Sequence, residues 1–327
     1  MKSENPFHQW IRLEQPRLGT RVVYATDEFF AAKERLIDVA EPVWIDDKYD
    51  DHGKWMDGWE SRRKRTAGHD YCVVRLGIPG VIHGFDIDTR YFTGNFPPAA
   101  SIEVCQCDDD IPGEDALWRS ILPRQDLVGD AHNYFAIDDG ETVTHLRLNI
   151  FPDGGVARLR IFGQVRPDPG RMSAPGLVDL IGMKNGGRAV CCSDEHYGSM
   201  HNLNLPGDGT HMGDGWETAR RRGPGNDWVV FELGRPGIIE EIEIDTAYFK
   251  GNYPDRAEVR GAMATAGDDL VSSSERWAVV LPEKKLDMDK VHTFKIEDQD
   301  AGPVSHVRLN VFPDGGVSRM RIRGKAV

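Results

Sequence analysis

His145-Leu-Arg-Leu-Asn-Ile-Phe-Pro-Asp-Gly-Gly-Val-Ala-Arg-Leu-Arg-Ile161 is written a second time from His306 to Ile322, with only conservative exchanges. Leu146, Leu148 and Ile150 alternate with His145, Arg147 and Asn149, the period of a half-buried strand. Pro-Asp-Gly-Gly reads as a turn, because Gly takes positive φ freely and Asp bonds its own downstream backbone. The two arms therefore predict a β-hairpin, with Arg158 and Arg160 on the same polar face as His145, Arg147 and Asn149. A solvated face exchanges Lys, Glu, Gln and Thr freely, yet each polar identity here recurs in the second copy.

The duplication runs on in both directions. Gly19–Glu28 matches Gly186–Glu195, an apolar strand with an acidic end. Asp57-Gly-Trp-Glu60 with its following arginines matches Asp214-Gly-Trp-Glu217. Val73–Gly80 and Val229–Gly237 are apolar strands stopped by Gly and Pro. Phe85–Pro97 and Ile242–Pro254 share Asp-Thr-x-Tyr-Phe-x-Gly-Asn-x-Pro, a strand closed by a loop in which Asn95 and Asn252 are expected at positive φ. Trp59 and Trp216 are expected in the core. The first copy has a longer segment around Ala31–Trp44, whose composition predicts a short helix.

The 327 residues allow two ordinary domains, each with its own core. A Pro- and Gly-rich stretch divides them, giving a first repeat over 1–165, a linker over 166–176 and a second repeat over 177–327. Short strands, frequent turns and no amphipathic helix of normal length predict an all-β chain of two tandem jelly-roll sandwiches. A net charge of −13 without a basic block argues against nucleic acid and anionic membranes. No signal-like or membrane-spanning stretch is seen, so a cytoplasmic protein acting on a small molecule is expected. The cysteines, five in number, read as free packing residues.

Together, the paired Asp-Gly-Trp-Glu blocks, the paired Asp-Thr-x-Tyr-Phe-x-Gly-Asn-x-Pro blocks and the paired His-x-Arg-Leu-Asn-x-Phe-Pro-Asp-Gly-Gly stretches resemble the allantoicase family over nearly the whole chain. The resemblance implies discoidin-like jelly rolls, homo-oligomeric assembly, and hydrolysis of allantoate to ureidoglycolate and urea in purine-nitrogen recovery.

Allantoate carries one carboxylate and two ureido groups, so a site needs a cation and several acceptors. Arg147 or Arg308 suits the carboxylate, through the bidentate fork of a guanidinium. Asp57, Glu60, Asn95 and Asn149, with Asp214, Glu217, Asn252 and Asn310, offer acceptors. His145, His306, Glu60 and Glu217 are the acid–base candidates, and Arg158 and Arg319 suit developing charge. No cofactor is expected. For a metal, the densest group is Asp194, Glu195 and His196 with His201 and His211. Phe29 stands where the second copy has His196, and no metal-site spacing is matched, so none is expected. Two other readings are a ureidoglycolate-type urea lyase and a non-catalytic tandem binding module, since a sandwich does not fix function.

Overall fold

The computed structural model describes residues 5–167, 170, 176–265, 267–297 and 302–327. The expected linker over 166–176 falls largely outside them. The chain divides into two compact units, Met1–Arg166 and Pro167–Val327.

In the first unit the main strands are β1 (Ile11–Arg12), β2 (Arg21–Ala25), β3 (Asp70–Asp88), β4 (Ala99–Cys105), β5 (Arg119–Asp126), β6 (Tyr134–Ala136), β7 (Thr142–Phe151) and β8 (Arg158–Val165). The second unit repeats them as β9 (Val178–Asp179), β10 (Arg188–Cys192), β11 (Asp227–Asp245), β12 (Arg256–Ala262), β13 (Ala278–Lys285), β14 (Val291–Lys295), β15 (Val304–Phe312) and β16 (Arg319–Ala326). The hydrogen-bonded order in the first is β1-β8-β3-β7-β4-β5, with β2 and β6 also on β3. The second unit has the same order.

β3 serves both layers of its sandwich. Its first half pairs with β7 and β2 through Asp70–Arg75, and its second half pairs with β8 and β6 through Gly80–Asp88. The Gly77-Ile-Pro-Gly80 segment, expected to end a strand, instead marks where β3 changes sheets, and the register with β7 slips there. A strand that passes between sheets through a bulge or bend makes a corner of a sandwich. The same change occurs in β11 across Leu233–Gly237.

The alternation read from the repeated stretch holds, and the hairpin does not. Leu146, Leu148, Ile150, Leu159 and Ile161 are all fully buried. Yet β7 and β8 lie on opposite halves of β3 and do not pair with each other. Between them the chain swings out, and Gly155–Val156 forms a short ladder with Trp59–Glu60. Consequently His145, Arg147 and Asn149 face outward from one sheet, while Arg158 and Arg160 belong to the other.

This corner demands glycine at two successive positions. Gly154 has φ +140, and a Cβ on Gly155 would lie 1.9 Å from the Phe92 ring. The corresponding second-repeat contact, from Gly316 to Phe249, is also 1.9 Å. Positive φ at the neighbouring loop belongs to Tyr91 and Tyr248 (70° and 71°), not to Asn95 and Asn252 as expected.

Trp59 and Trp216 are fully buried, and their indole N–H groups donate to the Asp27 and Asp194 carbonyls at 2.9 Å. A single 3-10 turn, Lys33–Ile37, lies within the inserted segment and buries Leu36 and Ile37. All five cysteines are free thiols.

Arg158 and Arg319 are buried and bonded to loop carbonyls and a carboxylate, which leaves neither open for the role expected of it. Arg158 donates from Nε to the Ala40 carbonyl (2.9 Å), from Nη1 to those of Asp57 and Ala157 (3.0 and 2.7 Å), and from Nη2 to the Asp57 carboxylate (2.9 Å). Arg319 treats the carbonyls of Gly207, Asp214 and Ser318 and the Asp214 carboxylate in the same way. Their side chains are 1% and 2% exposed. Asp57 and Asp214 thereby act as loop anchors. Removing one partner of such a buried pair strands the other, at a cost of about 3–5 kcal/mol. Arg158→Gln should therefore lower the first repeat's unfolding free energy from urea denaturation by that amount, with Arg319→Gln doing the same to the second; an unchanged midpoint would refute the anchoring role.

Candidate functional site

The remaining sequence candidates fall into two separate places in each repeat. The first is the loop end of the sandwich, where the repeated blocks meet. The Gly155 N–H donates to the Asn95 carbonyl at 2.7 Å, and Ser61 N–H donates to the Gly154 carbonyl at 3.2 Å. These bonds hold the Asn95 loop, the Asp-Gly-Trp-Glu block and the corner together. Asn95 Nδ2 then donates to Glu60 Oε1 at 2.7 Å. Glu60 is 8% exposed, and burial raises its pKa against the opposing effect of the Asn95 bond, with Asp50 adding like charge. Such a carboxyl keeps its proton to higher pH than an ordinary glutamate. Asp153, read as a turn former, accepts the Lys64 backbone N–H at 2.8 Å and so ties the corner to the arginine-rich segment.

The second repeat builds the same end. Gly316 N–H donates to the Asn252 carbonyl at 2.7 Å, Asn252 Nδ2 donates to Glu217, and Asp314 accepts the Arg221 N–H at 2.8 Å.

The second place is the outer face of β7. Arg147 donates to Glu103 (Nε, 2.9 Å; Nη2, 2.7 Å) and lies over the rings of Trp118 and Tyr71. Asn149 donates to Glu103 and Ser101 and meets His69 Nε2 at 3.1 Å. Together with Arg124 and Phe151 they line an open recess of about 530 Å³. Sequence reasoning missed Glu103, His69 and Arg124, which lie far from the repeated stretch.

In the second repeat the equivalent arginine and asparagine are buried. Arg308 is 5% exposed and donates to Asn310 (2.8 Å) and to the buried hydroxyl of Ser274 (2.9 Å), which stands on a short helical segment without a counterpart over Arg147. Asn310 in turn donates to Glu258. The polar identities recur, but among the described residues Arg308 and Asn310 are buried where Arg147 lines a recess.

His145 and His306 do not join Glu60 and Glu217. His145 is fully buried, with Nδ1 against Thr144 Oγ1 (2.9 Å) and Nε2 against the Asp110 carbonyl (3.2 Å). It precedes Gly155 by ten residues, of which the straight part of β7 alone spans roughly 20 Å. Burial lowers the pKa of both histidines, favouring the neutral ring. The expected pairing of imidazole and carboxyl within one repeat is thus not assembled.

For a metal, the acidic group of the second repeat caps backbone instead: Asp194 accepts from Ala219 N–H (2.6 Å) and Glu195 from Met200 N–H (3.0 Å). Among the described residues, Asp86, Asp88 and His132 bring one ligand atom each within 4.8 Å of one another. Arg90 already grips Asp88 through Nε and Nη2 (3.0 and 2.7 Å), so a cation there meets a guanidinium, and the group fits a metal poorly.

A model of the allantoicase repeat matches residues 11–166 and again 178–327. The chain is 52% identical over 319 residues to a probable allantoicase 2 of Burkholderia pseudomallei, covering 97% of this chain and 95% of that protein. It is 51% identical over 322 residues to a probable allantoicase of Pseudomonas syringae pv. syringae, covering 98% and 97%. The crystal structure of allantoicase from Saccharomyces cerevisiae superposes with a TM-score of 0.81 at 36% identity, covering 96% of this chain and 92% of that one. Two loop ends of one construction, each carrying the same carboxyl–amide pair, are thus the two halves of one family's architecture, and the chain belongs to the allantoicase family.

Proposed function

We propose that the protein hydrolyses allantoate to ureidoglycolate and urea, and that the loop end around Glu60 is where the bond breaks. The observation that supports this reading most is the buried Glu60 carboxyl, its pKa raised and one oxygen fixed by Asn95. Intact urea as product means that the bond broken joins the central carbon to nitrogen, since water attack on a ureido carbonyl yields carbamate. Glu60 donates a proton to the departing urea nitrogen as the retained ureido nitrogen's lone pair forms a C=N bond and its N–H proton passes to water. Water then adds to the carbon of the resulting acyl-imine and gives a proton to Glu60, while the imine nitrogen takes back the proton it had lost to water. General acid–base help of this kind is worth about 10²–10⁴-fold in rate.

A second placement has its own support. The recess over β7 combines a guanidinium for the carboxylate, Arg147, with Asn149 and Glu103 as ureido partners, whereas the equivalent Arg308 is buried. In both readings the first repeat carries turnover. The cytoplasmic location, the homo-oligomer and the repeat boundaries at 1–165 and 177–327 belong to the same proposal and rest on the family resemblance and the sequence pattern.

Urea release from allantoate by the purified protein tests the activity. In oxygen-18 water the label should appear in ureidoglycolate; label in urea beyond background exchange would refute C–N cleavage. Glu60→Gln should lower kcat about 10²–10⁴-fold and Glu217→Gln should leave most turnover. Arg147→Lys decides the placement: a loss confined to KM or absent favours Glu60's loop end, whereas a collapse of kcat with Glu60→Gln near normal favours the recess. Equal losses in Glu60→Gln and Glu217→Gln at unchanged melting temperature would show two working sites and refute the inequality.

Stability against pH gives an independent check on Glu60. Its folded pKa is raised above the ordinary value of 4.5, so its contribution to stability is fully present below that value and is lost as pH rises through the raised one. Glu60→Gln cannot ionise. Its melting temperature should exceed that of the wild type at pH 7 to 8, and the gain should vanish at pH 4; a gain that grows on acidification would contradict the burial argument.

A further inference from the structure

The opposite outer face of the first repeat, formed by β8 and the second half of β3, holds a basin of about 750 Å³ that plays no part in either placement above. Two guanidiniums enter it with incomplete partners. Arg160 is 5% exposed and donates to the backbone carbonyls of Asp38 and Ala40, while the carboxylates of Glu14 and Glu41 stand off at 3.8 Å. Arg12 gives its Nε to Glu14 at 2.5 Å, and its buried Nη2 has no hydrogen-bond partner among the described residues. Burial, with Arg12 as a like charge beside it, pulls Arg160 down to about 10. The two cations thus share a cavity in which Arg12 Nη2 is unpartnered and no carboxylate reaches Arg160 at hydrogen-bonding range, although Asp86, Asp88 and Glu41 also line the basin.

Across the basin His132 Nδ1 meets the buried Asp86 carboxylate at 2.6 Å, and its ring stacks on Tyr134. The Asp86 bond fixes the ring and raises its pKa. His132 Nε2 makes no hydrogen bond among the described residues. An imidazole oriented by a buried carboxylate at the wall of a cavity is a common arrangement for meeting a ligand. Glu41, whose side chain is 65% exposed, reaches in from the inserted segment to Arg90 and stands near Arg160.

We propose that this basin is a second small-molecule site, which takes a small carboxylate bearing a neutral polar group such as ureido or hydroxyl. The ligand's carboxylate sits between Arg12 and Arg160 in place of Glu41, and its polar group meets His132 Nε2. Among the described residues the second repeat does not reproduce this lining. At the equivalent positions the second repeat has Asp179 for Arg12, Ala247 for Arg90 and Val291 for His132.

The probe is hydantoate, a carboxylate with one ureido group, titrated calorimetrically into the intact protein. Arg12→Gln should weaken binding at least tenfold. Glu41→Gln should tighten it severalfold, because the internal competitor has lost its charge. Glu60→Gln and Arg147→Lys should leave the Arg12-dependent component of binding unchanged, which separates the basin from the site of hydrolysis, and urea release is read independently. Should Arg12→Gln melt early, Glu41→Gln decides alone, since Glu41 is itself 65% exposed and its loss leaves the backbone bonds of Arg160 in place. Affinity unchanged in Glu41→Gln, absence of binding, or loss of binding in Glu60→Gln alone would overturn the proposal. So would manganese, titrated alone, binding to the wild type and not to His132→Gln, because the basin would then be a cation site.

Discussion

One backbone ladder carries each repeat: a strand of 19 residues that gives its first half to one sheet and its second half to the other. Every strand that forms the core, except the two beyond β7, hydrogen-bonds to it directly or through β8. Because side chains alternate along a strand, this shared strand sets which residues of its neighbours point inward on both layers at once. A one-residue slip would expose Leu146, Leu148 and Ile150, each worth about 1.5–3 kcal/mol when buried. The apolar pattern and the register therefore enforce each other.

The corner after β7 is the second constraint. It must leave one sheet, touch the Asp-Gly-Trp-Glu block and enter the other sheet within a few residues, which brings backbone against the Phe92 ring and against Asn95. Only glycine at 154 and 155 allows that approach. Arg158, two positions past Val156, then pins the incoming loops through their carbonyls. The loops need this because their own hydrogen bonds are few and a buried carbonyl without a donor is costly. The recurrence of Arg158 as Arg319 is thus explained by architecture, and recurrence of a polar residue is not by itself a mark of chemistry.

Divergence between the repeats is more informative about function. The Glu60–Asn95 pair survives in both, so the loop end is preserved. The outer faces are not: Ser274 closes over Arg308 where Arg147 looks into a recess, and Ala247, Val291 and Asp179 replace the charged lining of the basin beneath Arg160. Two copies of one fold have kept their hydrogen-bonded skeleton while one of them holds all the open cavities described here. Burial at one outer face and residue identity at the other distinguish them.

The sequence by itself determined the all-β class, the duplication, the inward alternation of Leu146, Leu148 and Ile150, the core positions of Trp59 and Trp216, and the family, because each of these depends on local periodicity or on matching within the chain. It also brought Glu60 and Asn95 forward as candidates. It misjudged the hairpin and the unity of the polar face, since a Pro-Asp-Gly-Gly turn is compatible with two arms that pair or with two arms that part, and only the long shared strand decides between them. The end of a strand predicted at Gly77–Gly80 failed for the same reason: Pro and Gly interrupt a ladder locally, but partners on both sides carried it through. His132 with Asp86, and Arg147 with Glu103, are contacts across about 45 residues of chain. They became visible only in the tertiary structure, because the strand order, which no local pattern encodes, sets which distant side chains share a face.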